Sequence, residues 1–319
     1  MALAFVFPGQ GSQAPGMGRD LAVAFSTARE VFEEVDEALK QKLSRLMFEG
    51  PGEELTLTAN AQPALMAHSI AVLRVLEKEG GFALPEKVAL VAGHSLGEYS
   101  ALTAARAFDL ATAARLLRLR GEAMQRATPP GTGAMAALLG AELEQAQAIC
   151  EAARTDPETG ATEVVEVAND NGGGQVVISG HKAAVDRAVA AAPGHGVKRA
   201  MPLPVSAPFH CALMTPAAEA MAEALERAEI RVPVVPLVAN VTAAKATDPA
   251  AIRALLVKQV TATVRWRECV AAMVAMGCDR FVEIGAGRVL TGLMKRNAPD
   301  ATATAIGTPA DVEAFLRTL

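Results

Sequence analysis

The sequence predicts an α/β fold: a mainly parallel sheet covered by helices, with a small βαββαβ unit inserted into it. Three observations predict it. Short β-rich runs alternate with longer helical patterns along most of the chain, those runs are apolar without alternation, and one section between proline-rich borders has its own rhythm. ALAFVF (2–7), KVALVAG (87–93), VPLVANV (235–241), RFVEIG (280–285) and ATAIG (303–307) read as strands buried on both faces. Helical patterns occupy 18–47, 62–79, 97–106, 109–126, 214–228, 263–276 and 288–296. A last helix, DVEAFLRTL, starts with Asp311 as its N-cap.

The section with the different rhythm runs from about 134 to 202. It reads strand (AMAALLG), helix (ELEQAQAICEAA), two strands joined by NDNGGG (VVEVA and QVVISG), helix (KAAVDRAVAAA), strand (VKRAMPL). That is the ferredoxin-like order. TPPGTG (128–133) and PLPVSAP (202–208) border it, so residues 129–202 are expected to form a small domain inserted between 1–128 and 203–319 of a large catalytic one. The cleft between the two is the natural ligand site.

Composition excludes several classes. With 319 residues and 51% hydrophobic content the chain can bury a sizeable core. A net charge of −5 with scattered Lys and Arg argues against a nucleic-acid or anionic-membrane surface. The start, MALAFVFPGQGSQ, lacks a basic n-region and no apolar run reaches 18 residues, so a cytoplasmic protein is expected. Cys150, Cys211, Cys269 and Cys278 show no metal spacing and are too few for a disulfide scaffold; reduced core thiols and no metal site are expected.

GHSLGEYS (93–100) places a serine between two glycines where a strand gives way to a helix. In such an elbow the strained turn projects the hydroxyl of Ser95 outward, and the next helix start offers N–H groups to an oxyanion. A structural Gly-Ser turn is the other reading. A serine nucleophile needs a base, and five histidines are on offer. His94 adjoins Ser95 and braces the elbow, His68 lies in a core helix pattern, and His181 and His195 sit in polar turns. His210, in SAPFHCALM where the chain re-enters the large domain, is the candidate base, with a structural role near a helix start as its alternative.

Arg120 is the second anomaly. On a helical wheel of 113–126 it falls in the middle of the apolar side, among Leu116, Leu117 and Met124. A buried guanidinium must be paired, either with an internal Asp or Glu or with a substrate carboxylate. EIGAGRVLTG (283–292) has GxGxxxxG spacing rather than that of a dinucleotide site, and FPGQGSQ (7–13) lacks the Lys-Ser/Thr of a phosphate loop. The second loop brings Gln10 near the elbow.

Taken in order, FPGQGSQ, GHSLGEYSAL, R-G-E-A-M (120–124), NDNGGGQVVISG, PVSAPFH and VEIGAGRVLTGL make the chain resemble the malonyl-CoA:acyl carrier protein transacylases over essentially its whole length. The related acyltransferase domains of fatty-acid and polyketide synthases share these motifs; the chain reads as a stand-alone enzyme of bacterial type II fatty-acid synthesis. The resemblance implies an α/β-hydrolase-like large domain, with Ser95 as the acylated nucleophile, His210 as the base and Arg120 as partner of the malonyl carboxylate. It implies Gln10 and the Leu96 N–H as oxyanion hole, and Gln259 as the residue whose backbone carbonyl holds the histidine. Phe209, just before the histidine, goes with malonyl over methylmalonyl through crowding at the second carbon of the acyl group. Met124 and His94 are counted with it among the substrate-binding residues. It further implies malonyl-CoA and acyl carrier protein as partners, no cofactor, no nucleic acid, no membrane and a monomer. An α/β-hydrolase-type esterase or thioesterase is the competing reading; it needs a triad acid between Ser and His and an HGGG-like loop, and neither is found.

Overall fold

The computed structural model describes residues 2–205 and 207–318; Ser206 of PVSAPFH and the last residue of DVEAFLRTL lie outside them. Among the described residues ten strands make two sheets. In chain order they are β1 (Ala2–Phe7), β2 (Leu90–Gly93), β3 (Gly133–Leu139), β4 (Val165–Gly172), β5 (Gln175–His181), β6 (Arg199–Pro202), β7 (Leu237–Ala239), β8 (Ala244–Ala246), β9 (Cys278–Ile284) and β10 (Thr302–Ile306). The large sheet has the order β10-β9-β1-β2-β7-β8 and is parallel except for the β7–β8 pair. The small sheet, β4-β5-β3-β6, is antiparallel throughout, which is the ferredoxin-like order.

Central strands behave as their apolar runs require. In β1 only Ala2 is not buried, and β2 is buried throughout. The 23-residue helix Thr58–Gly80 lies inside the molecule as far as Leu76, with Thr58, Asn60, Gln62, His68 and Ser69 buried among its apolar residues. In the small sheet, the period-2 alternation of β3 sends Ala136 and Leu138 into a separate core under its own two helices, while Met135 and Ala137 join the main core.

Several sequence expectations are corrected. The pattern 18–47 is three helices, Arg19–Ala24, Ser26–Leu39 and Leu43–Glu49, divided at extended Phe25 and at left-handed Lys40. KVALVAG is strand only from Leu90, because Pro85 starts a short turn of helix before it. NDNGGG is not all loop: Asn169, Asp170 and Asn171 continue β4, and Gly172–Gly174, each with positive φ, make the turn. β10 is an edge strand with exposed Thr302 and Thr304, not one buried on both faces. Asp311 is not the N-cap of the last helix. Thr308 is, with Pro309 fixing the first turn and Asp311 completing the capping box. The helix Pro249–Gln259 and strand β8 were not read at all.

The sheet places the reactive loops. Parallel strands β1, β2 and β7 end at the same edge, and the loops after them carry Gln10, Ser95 and Asn240. Phe7 pairs with Gly93, and the His94 N–H donates to the Phe7 carbonyl at 3.0 Å, so the two loops lie side by side. Both elbow glycines are forced by crowding. A Cβ on Gly93 would stand 1.9 Å from the Gly97 carbonyl carbon, and one on Gly97 would stand 2.3 Å from the Phe7 oxygen.

Candidate active site

Ser95 occupies the tip of the elbow with φ of 54°, a left-handed conformation that a non-glycine residue adopts at a cost. His210 is likewise left-handed, with φ of 56°. The two strained residues meet: Ser95 Oγ lies 2.7 Å from His210 Nε2. On the far side of the ring, Nδ1 lies 2.9 Å from the backbone oxygen of Gln259. A carbonyl can only accept, so Nδ1 carries the proton and Nε2 presents its lone pair to the serine hydroxyl. That carbonyl is free because Gln259 ends the helix Pro249–Gln259, whose last carbonyls have no partner within the helix. The negative end of the helix also favours an imidazolium there.

Burial, and secondly the nearby guanidinium of Arg120, push the His210 pKa down to about 3. The ring is therefore neutral at neutral pH and free to take a proton. Burial also lowers the pKa of His68 and His94. In the unfolded chain these imidazoles bind a proton near pH 6.5, whereas the folded protein keeps them neutral, so below that pH the unfolded state binds more protons. Their contribution to stability is thus present above about pH 6.5 and is lost as pH falls. Buried Glu98 and Glu283, whose pKa values are raised, act with the opposite sign, so the clean measurement is a difference. We expect the stability gap between wild type and His68→Gln, read from urea midpoints, to shrink as pH falls below 6.5, by at most ~1.4 kcal/mol per pH unit. A gap that does not change with pH contradicts a neutral buried His68.

Arg120 is 1% exposed, as the wheel requires. Among the described residues no carboxylate lies within salt-bridge distance of it, so the structural ion-pair alternative is not what the molecule uses. Two amide oxygens hold it instead: Nη1 donates to Gln62 Oε1 and Nη2 to Gln259 Oε1, each at 2.8 Å. Nη2 also reaches Ser95 Oγ at 3.3 Å, and the guanidinium carbon lies 5.7 Å from the Tyr99 ring centroid. Neutral partners leave a full positive charge beside the serine.

N–H groups around the elbow can be accounted for one by one. Ser95 N donates to Asn240 Oδ1, Gly97 N to the His94 carbonyl and Glu98 N to the Ser95 carbonyl. Among the described residues the Leu96 N–H is left without a protein acceptor, at the start of the helix Gly97–Ala104. Gln10 Oε1 accepts from Thr58 Oγ1 at 2.8 Å, which leaves its amide nitrogen as the free end.

These groups line a cleft of about 310 Å³, together with His94, Met124 and Phe209. Gln259 stands behind the Ser95–His210 pair rather than in the wall. His94 braces the elbow across the two sheets: its Nε2 lies 2.8 Å from Asn171 Oδ1, and its ring packs 5.7 Å from that of Trp266. Among the described residues no group of three or more His, Cys, Asp or Glu is placed to hold a metal ion, and no helix is long and apolar enough to cross a membrane.

Sequence reasoning missed four residues here. Glu98, 1% exposed, accepts from Gln259 Nε2 at 2.6 Å, and Asn240 ties Ser95 to the Gly93 carbonyl. Gln62 and Thr58 carry the chain of hydrogen bonds from Arg120 to Gln10. Asn240 had a signal, as a lone polar residue in VPLVANV, a run otherwise read as buried, whereas Glu98 had none. Gln62 and Thr58 had none beyond their place on a buried helix.

The chain is similar to known proteins over nearly its whole length. Residues 4–318 match the family described as acyl transferase domain. The malonyl CoA-acyl carrier protein transacylase of Escherichia coli K12 is 47% identical over 313 residues, 98% of each chain, and that of Bacillus subtilis 168 is 45% identical over 317 residues, 99% of this chain and 97% of the other. The acyl-carrier-protein S-malonyltransferase of Bartonella henselae superposes with a TM-score of 0.95 at 54% identity, covering 100% of this chain and 99% of that one. A malonyl-transacylase solved in complex with a type II polyketide acyl-carrier protein superposes at 0.94, with 44% identity and full coverage of both chains. A strained serine on a strand-to-helix elbow, its histidine and a match across nearly the whole length together place the chain in the acyl transferase domain family.

Proposed function

We propose that this acyltransferase moves a malonyl group from malonyl-CoA to the phosphopantetheine thiol of acyl carrier protein through an ester on Ser95, in the cytoplasm and in the service of fatty-acid synthesis. The observation that carries the reading is Arg120, a buried guanidinium without a carboxylate partner, 3.3 Å from the hydroxyl that the histidine polarises. An acyl chain ending in a carboxylate supplies the direct ionic partner that the two amides do not.

Two half-reactions use one machinery. As Ser95 Oγ attacks the thioester carbonyl, its proton passes to His210 Nε2, and the imidazolium is steadied by the Gln259 carbonyl on Nδ1. The oxyanion takes hydrogen bonds from the Leu96 N–H and from Gln10. When the tetrahedral intermediate collapses, His210 gives the proton to the departing sulfur, so coenzyme A leaves as a thiol and malonyl-Ser95 remains. The carrier's thiol then gives its proton to His210, attacks the ester, and returns free serine and malonyl carrier protein. The groups that act are side chains and backbone groups of this chain together with the two thiols. Phe209, in the wall, limits room at the second carbon of the acyl group.

Intact-protein mass spectrometry tests the reading. Malonyl-CoA alone should leave one malonyl mass increment on the protein, carrier protein should remove it and acquire it, and Ser95→Ala should show none. Loss of the adduct to water at the same rate with and without carrier would favour a hydrolase.

A further inference from the structure

The proposed mechanism leaves one buried acid unused. Glu98, on the second position of the helix that follows the elbow, points its carboxylate at Gln259 and the Asn240 N–H, both of which bond to Oε2, at 2.6 and 3.2 Å. The Gln259 side chain is a relay. Its amide nitrogen donates to Glu98 while its amide oxygen accepts from Arg120 Nη2 at 2.8 Å, and its backbone oxygen holds His210. A carboxylate and a guanidinium are thus joined through a single amide, with no contact between them.

The charge of this pocket can be counted. Groups facing Glu98 or sharing its field are Arg120 from the helix Leu110–Arg126, Cys269 from the helix Trp266–Ala275, Tyr99 on its own helix, His210, which feels the same guanidinium, and His94, which acts on His210. Burial keeps Tyr99 and Cys269 protonated and His210 and His94 neutral. Arg120 and Glu98 are the two charges that remain, and they balance. A substrate carboxylate on Arg120 brings a second negative charge to one guanidinium in a water-poor site, where two carboxylates do not both stay ionised.

We propose that Glu98 is the resident counter-ion of the acyl-carboxylate site: ionised and amide-bridged to Arg120 in the free enzyme, it takes a proton when the malonyl carboxylate occupies that guanidinium. The inference rests on the malonyl reading. Solvent supplies the proton, which goes to Oε1, the oxygen not engaged by Gln259 and Asn240; the malonyl carboxylate stays ionised on Arg120. Burial holds the Glu98 pKa up at about 7 against the hydrogen bonds from Gln259 and the Asn240 N–H and, last, the attraction of Arg120, so near neutral pH even a small loss of that attraction shifts its protonation. Because loading raises the pKa of Glu98, loading is favoured at low pH and weakens as pH rises, by up to about tenfold per pH unit above pH 7. Glu98 is a positioning residue, acting through Gln259 on both Arg120 and His210.

Proton uptake tests this. Acylation itself moves the serine proton to coenzyme A, whose thiol is only about one-tenth ionised at pH 7.5 if it resembles a cysteine thiol. A pH-indicator measurement in weak buffer at pH 7.5, with malonyl-Ser95 quantified by intact mass in the same sample, should show more than about half a proton taken up per malonyl group. Glu98→Gln keeps the bond to Gln259; it should acylate with no such uptake, and its loading equilibrium should lose its dependence on pH. If that variant does not fold, infrared difference spectra of wild type grown with ¹³C-carboxyl glutamate should show a labelled protonated carboxyl appearing on malonylation. Malonyl-Ser95 formed without proton uptake in the wild type overturns the inference and leaves the proposed function standing. Equal uptake by Glu98→Gln, or an unlabelled protonated carboxyl band, assigns the proton elsewhere and also overturns it. No adduct on Ser95 at all removes both.

Discussion

His210→Ala is expected to slow formation and breakdown of the malonyl ester alike, by roughly 10²-fold to 10⁴-fold, while the protein stays folded. The serine hydroxyl is a weak nucleophile at its own pKa, and its bond to Nε2 at 2.7 Å is where its proton goes. The same ring must return that proton to a sulfur in the first step and take one from a sulfur in the second, so its removal strikes both. Rapid-quench measurement of each half-reaction gives the two rates. A defect confined to one of them means that another group shares the task. His210→Gln is the useful companion, because an amide can keep a bond to Ser95 without accepting a proton.

Arg120→Ala should lower malonyl transfer sharply and acetyl transfer little, or even raise the latter. A carboxylate on a guanidinium fork in a partly desolvated cleft gains roughly 1.5 to 3 kcal/mol, about 10-fold to 150-fold in binding. An acetyl group offers the guanidinium nothing and leaves its donors without a carboxylate to bind directly. Lysine at 120 should rescue only in part, since it supplies charge without the fork, and the fork is what spans Gln62 and Gln259. Competition between malonyl-CoA and acetyl-CoA, read as the ratio of kcat/KM, is the measurement. Equal losses for both donors would mean that Arg120 merely holds the elbow and that selectivity has another origin.

Much of this site was legible because its parts are anomalies of pattern. Ser95 interrupts a strand-to-helix junction, Arg120 interrupts an apolar helix face, and each has one physical explanation that chemistry can use. The α/β class was legible for a related reason, since β1 and β2 are apolar runs with no alternation. Links between the parts were not legible. The Ser95–His210 bond spans 115 residues, and the amide junction at Gln259 ends a helix that hydropathy did not reveal, with weak periodicity in PAAIRALLVKQ. Glu98 sits inside the most informative motif of the chain and was still passed over, because an acid in a helix's first turn is ordinarily read as a charge favoured by the helix dipole. Its burial is a tertiary fact. β10 and Asp311 failed differently: edge position depends on which strands pair, which local propensity does not weigh, whereas the cap was legible in TPAD, a Thr before Pro with an acid three residues on.

β4 is stitched to the large part of the molecule along its length. Val264 exchanges backbone bonds with Ala168 and Asp170 at 2.9 and 3.0 Å, Arg267 pairs with Asp170 at 2.7 Å, and the Asn297 amide donates to the Asn171 carbonyl at 2.8 Å. Two facing walls sewn together in this way make a slot of fixed gauge, not a jaw. Coenzyme A and the carrier's arm are then expected to reach Ser95 along an open track whose two walls stay joined at this seam. What the slot admits is decided by the side chains set into its walls before any substrate arrives.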